Sequence, residues 1–190
     1  MRVAWLLEEV GEPYEPARVT TEEVMEPEHL ARHPLGRVPV LEANGDVLFE
    51  STAICLHLAD QYADAGLIGP LGSLERALVY QWALFAMTEL EPAVLEVLRH
   101  SKADPARATA GAERFGAAAA VIERELDARE FLVGDRLTVA DIVTGGVLAL
   151  AARRTSLTGE WPHITAYVDR LTARPAFRRA AAATESALAT

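Results

Sequence analysis

The chain has 190 residues, 51% of them apolar and 24% charged, which is enough to bury a core and excludes a disordered or fibrous protein. A single cysteine, Cys55, leaves neither an intramolecular disulfide nor a cysteine metal cluster. The net charge of −10 is concentrated in residues 1–72, with 4 basic and 13 acidic side chains, which argues against nucleic acid or an anionic membrane as partner.

In chain order, Val3, Leu6, Leu7 and Val10 make one apolar helix stripe that Gly11 and Pro13 stop. The opening has no basic segment ahead of a long apolar one, so it does not read as a signal peptide, and no run reaches the roughly 18 apolar residues of a membrane span. A cytoplasmic location is the simplest reading. Tyr14 to Val19 is expected to form a short strand. Thr20 or Thr21 then caps a helix with Glu22 and Glu23 in its first turn, near the positive end of the dipole. Two apolar runs, 38–42 and 47–50, flank Asn44-Gly45, the strongest short-range hairpin signal because a type I′ turn needs positive φ at both central residues. Ser51 is expected to cap the next helix, which carries Ile54, Leu58 and Tyr62 on one face.

Gly66, Gly69, Pro70 and Gly72 mark a linker. Helices are expected near 73–100, 106–128, 138–153, 162–173 and 175–187. The clearest start is at Thr138, which can cap the amide of Asp141 while the Asp141 carboxylate reaches back to the amide of Thr138. Leu137 and Ile142 staple the same turn. The division is therefore 1–64 for an α/β domain, 65–72 for a linker and 73–190 for an all-helical domain.

Three stretches carry a family resemblance: Trp5 to Glu15; His33-Pro34-Leu35-Gly36-Arg37-Val38-Pro39-Val40-Leu41 with Glu50-Ser51-Thr52-Ala53-Ile54; and Phe131-Leu132-Val133-Gly134-Asp135 with Leu137 to Asp141. In this order they resemble the glutathione S-transferase family. The implied fold class is α/β plus all-α: a thioredoxin-like, glutathione-binding domain followed by a helical bundle. The resemblance implies a cis Val38-Pro39 bond, with the Val38 backbone holding the cysteinyl part of glutathione. Glu50 and Ser51 would receive its γ-glutamyl end, where a helix start favours a carboxylate, and Arg37 would meet the glycyl carboxylate.

The family's first domain opens with a strand and a loop carrying a Tyr, Ser or Cys that stabilises the glutathione thiolate. This chain starts within the helix that follows that loop, so the strand is missing from the expected fold and the catalytic residue is unknown. Two explanations stay open. One is a truncated or wrongly started reading of a complete enzyme, which an in-frame upstream extension encoding the strand and a Ser, Tyr or Cys would restore. The other is a genuine short form with a rearranged first domain.

Cys55, one turn inside a helix, reads as a small buried hydrophobe rather than a nucleophile. Asp141 reads as a cap rather than a general base. The five histidines show no compact ligand spacing, so no metal is expected. Trp82, Phe85, Ala86 and Glu89 share a helix face that is either core or interface, or a wall of the electrophile pocket that the family builds between its domains; Thr88 is the nearest substitute hydroxyl donor. The expected activity is conjugation of the glutathione thiolate to small hydrophobic electrophiles, with glutathione as co-substrate, no other cofactor, and a homodimer as the assembly. The alternatives are a non-catalytic binding or dimerisation module and a glutathione-dependent isomerase or dehalogenase.

Overall fold

A computed structural model describes residues 1–189, and the side chains of residues 1–184. The chain forms two compact units, Met1–Gly66 together with the segment from Pro175 onward, and Leu67–Arg174. The first unit carries a small two-stranded sheet with helices; the second is helical.

In the first unit, α1 (Arg2–Val10) buries Val3, Trp5, Leu6 and Leu7, and Gly11 ends it in the left-handed conformation. The hairpin is β1 (Val40–Ala43) and β2 (Asp46–Phe49), antiparallel with Val40 opposite Phe49 and Ala43 opposite Asp46. Asn44 at φ 55° and Gly45 at φ 87° supply the two positive dihedrals that the turn requires. Helix α3 (Ser51–Gln61) buries Ile54, Cys55, Leu58 and Ala59.

Tyr14–Val19 is not a strand. Among the described residues the sheet has only β1 and β2, and the 14–19 segment is largely exposed, so water rather than a neighbouring strand can satisfy its backbone. The expected helix after Thr20 is reduced to a 3₁₀ turn, Glu23–Met25, and a short α2 (Pro27–Leu30), because Pro27 can only open a new helix. The turn's own N-cap is Glu22, yet Thr20 makes a reciprocal pair with Glu23: its Oγ1 accepts from the Glu23 amide at 3.2 Å, and the Glu23 carboxylate accepts from the Thr20 amide at 2.7 Å.

The terminal helix α9 (Pro175–Ala189) groups with the first unit. Phe177 meets Trp5 edge-on at 5.0 Å between ring centroids, and Arg179 Nε donates to Glu8 Oε2 at 2.6 Å. Trp5 is wholly buried and its indole N–H reaches Glu9 at 2.8 Å, so both ends of its amphipathic ring are satisfied.

In the second unit the expected helix over 73–100 is α4 (Leu74–Phe85), a π turn at Ala86–Leu90, and α5 (Glu91–His100). Pro92 lacks the N–H that an α-helix would offer to the Thr88 carbonyl, and a wider turn just before it accommodates that loss. The bundle is completed by α6 (Pro105–Leu126), α7 (Val139–Arg154) and α8 (Pro162–Ala173). Leu67 and Ile68 of the predicted linker are buried, and the Leu67 carbonyl accepts from the Val139 amide at 2.9 Å, so the linker is anchored to the start of α7.

Thr138 and Asp141 close the capping box, with the Thr138 amide donating to Asp141 Oδ2 at 2.8 Å; Leu137 and Ile142 are both buried. Asp141 Oδ1 also accepts from the Leu132 amide and the Tyr167 hydroxyl, both at 2.9 Å. Burial pushes the Asp141 carboxyl above its usual range, and these hydrogen bonds pull the other way. No helix among the described residues is long and apolar enough to cross a membrane.

Candidate functional site

The register Val40↔Phe49 brings Val38 and the Glu50-Ser51 pair to the same end of the hairpin. The Val38-Pro39 peptide is cis, and Val38 is 63% exposed. Among the described residues neither polar backbone group of Val38 meets another backbone group.

Two buried imidazoles shape the loop that leads to Val38. One ring nitrogen of His29 lies 2.9 Å from the Arg37 carbonyl, and His33 Nδ1 accepts from the Leu35 amide at 3.2 Å while its ring packs 4.9 Å from that of Phe49. Gly36, between Leu35 and Arg37 in this loop, is held at φ +57°, and a Cβ there would lie 2.6 Å from the Val24 carbonyl oxygen. Gly36→Ala therefore combines a backbone cost of about 1–2 kcal/mol with a steric clash. It is expected to lower the stability of the first unit by about 2–4 kcal/mol in chemical denaturation. Arg37 itself is exposed.

Ser51 is not the cap of α3 but its first helical residue. The N-cap is Glu50, which is exposed and held at φ 70°, ψ 105°, a region that non-glycine residues rarely occupy. Ser51 is only 8% exposed, and its Oγ accepts from Arg2 Nη1 at 2.8 Å. The next residue, Thr52, has a buried hydroxyl with no hydrogen-bond partner. Sequence reasoning missed Arg2, which lies 49 residues from its partner and belongs to no local motif. A separate open groove of about 500 Å³ lies between the hairpin (Leu41, Ala43, Leu48) and α3 (His57, Asp60, Gln61), and none of the candidate residues lines it.

The remaining candidates fall elsewhere. Trp82 is 6% exposed in the core of the second unit, 5.7 Å from the Phe85 ring, and its carbonyl faces the Thr144 hydroxyl at 3.5 Å. Phe85 is half-buried, and Thr88 and Glu89 are exposed on the π turn. Cys55 is fully buried, and burial pushes its thiol up to about 12. An inert thiol follows, and Cys55 is expected to resist alkylation at pH 8 until the chain unfolds, as read by mass spectrometry with and without denaturant. Because the ordinary value is near 9, the stability owed to the neutral thiol is complete below pH 9 and is lost as pH rises through about 12.

Models of the glutathione S-transferase N-terminal and C-terminal domains match residues 1–60 and 85–175, respectively. Glutathione S-transferase 3 of Zea mays is 30% identical over 196 residues, covering 96% of this chain and 88% of that protein. The chain belongs to the glutathione S-transferase family. Among solved structures of the family, a glutathione transferase family member from Pseudomonas fluorescens with two glutathione bound is 30% identical. It superposes with a TM-score of 0.85, over 94% of this chain and 86% of that one. Elongation factor 1-gamma of Trypanosoma cruzi is 34% identical over 128 residues, 67% of this chain but 31% of that protein. The family fold thus covers both units of the chain, and the family's two domain models fall in the order that the motifs imply.

Proposed function

We propose that this chain binds glutathione along the end of the hairpin and presents its thiolate to small hydrophobic electrophiles. The cysteinyl backbone would pair with the N–H and C=O of Val38. The γ-glutamyl ammonium would meet Glu50, its carboxylate the start of α3 at Ser51, and the glycyl carboxylate Arg37. The observation that carries this reading is Glu50, an exposed residue in a costly backbone conformation immediately before a helix N-terminus. The ligand in the Pseudomonas fluorescens relative supports the choice of tripeptide. Rate enhancement would come from holding the thiol beside the electrophile and from lowering its pKa.

Isothermal titration with glutathione is the test. Saturable heat and a thermal shift at millimolar ligand are expected, and their absence refutes the reading. A homodimer, the assembly expected from the family, would sediment at twice the 20.6 kDa of the chain.

A second reading is a module that binds or dimerises without turnover, motivated by the match to elongation factor 1-gamma, whose name is not that of a transferase. A conjugation assay with several electrophiles separates the two: binding without turnover supports the module, and turnover removes it.

A further inference from the structure

Arg2 is the first helical residue of α1, yet its guanidinium is turned onto the start of another helix. Its Nη1 donates to the Ser51 hydroxyl oxygen at 2.8 Å, and Ser51 is almost wholly buried. A serine hydroxyl has one proton to give and two lone pairs to receive with. With one lone pair occupied by a cation, the hydroxyl rotor is restricted and its proton remains to be donated. The guanidinium also withdraws charge from that oxygen, which makes the O–H a stronger donor toward an anion. Beside it, α3 begins with no side-chain cap on its free amides, and the Thr52 hydroxyl is buried without a partner.

We infer that Arg2 is a positioning residue that aims the Ser51 hydroxyl proton at the carboxylate of the γ-glutamyl end of the ligand. It acts through Ser51 and through its charge, without itself holding the tripeptide. The inference rests on the glutathione reading above and names how one end of the ligand is recognised. It requires the effect of Arg2 to be confined to ligands that carry the γ-glutamyl group.

The experiment compares glutathione with cysteinylglycine, which lacks that group, by calorimetric titration of the parent chain, Arg2→Met, Ser51→Ala and the double variant. Arg2→Met is expected to weaken glutathione about tenfold, the scale of one charge-assisted hydrogen bond, and to leave cysteinylglycine unchanged. The double variant is expected to bind glutathione no more weakly than Ser51→Ala alone, because the two residues act as a unit. Equal binding by Arg2→Met and the parent overturns the inference, as does equal weakening of both ligands, which marks a purely structural role. Additive losses in the double variant also overturn it. Should Arg2→Met lose its helical circular dichroism, Arg2→Gln decides: a severalfold loss for glutathione alone supports the inference, since a neutral amide can still donate but carries no charge, and parent-like binding of both ligands overturns it. A parent chain that binds no glutathione at all refutes the functional reading itself, an outcome distinct from each of these.

Discussion

Replacing Asp141 with alanine is expected to destabilise the second unit by about 4 kcal/mol, more than any surface substitution in the chain. The carboxylate is buried, and it accepts from the Thr138 amide, the Leu132 amide and the Tyr167 hydroxyl. Alanine leaves those donors without partners in a place that water does not reach, and each unsatisfied buried group costs about 1–3 kcal/mol. The Leu132 amide lies in the loop before α7 and Tyr167 lies on α8, so one side chain ties a loop and two helices. Losing it should lower the thermal midpoint by about 8–16 °C, on the scale of 2–4 °C per kcal/mol for a chain of this size. Asp141→Asn removes less, about 2 kcal/mol, because one amide oxygen still accepts while the NH₂ faces a donor. Chemical denaturation of the two variants, followed by circular dichroism, measures both values; a loss below 1 kcal/mol for alanine would contradict this assignment.

Asp141 also illustrates what could and could not be read from the residues in order. The box with Thr138 spans three residues and follows a local pattern, so it was legible. The bonds to Leu132 and Tyr167 span 9 and 26 residues, and nothing in their immediate sequence announces them. The same division runs through the first unit. Asn44-Gly45 encodes its own turn, and the hairpin lies where it was expected. Tyr14–Val19 has the composition of a strand, but a strand depends on a neighbour, and none pairs with it among the described residues. The docking of α9 on α1 depends on Trp5 meeting Phe177, a contact that periodicity within either helix cannot predict. In the candidate site, the family motif named Val38, Glu50 and Ser51 as candidates. It did not reveal that Glu50 would be left-handed, since that conformation is normally signalled by glycine, or that Ser51 would be buried under Arg2.

The left-handed Glu50 leads to a prediction in which stability and binding part company. Glu50→Gly is expected to leave folding stability unchanged or raise it by up to about 1 kcal/mol while weakening glutathione by tenfold to a hundredfold. At φ 70°, ψ 105° a side chain carries a conformational cost of about 1–3 kcal/mol. Glycine removes that cost, and its greater freedom in the unfolded chain gives part of it back. The exposed carboxylate has no packing role to lose. On the proposed reading, glycine also removes the partner for the ligand's ammonium group, a charge-assisted contact worth about 1.5–3 kcal/mol. Glu50→Gln separates charge from shape: it keeps the strained backbone and one acceptor oxygen, and its affinity should fall between the parent and glycine. Calorimetric titration paired with a denaturation curve on each variant reads both quantities. If Glu50→Gly gained stability and bound glutathione as tightly as the parent, the backbone strain would have no connection to the ligand, and the anchor for the γ-glutamyl end would have to lie elsewhere.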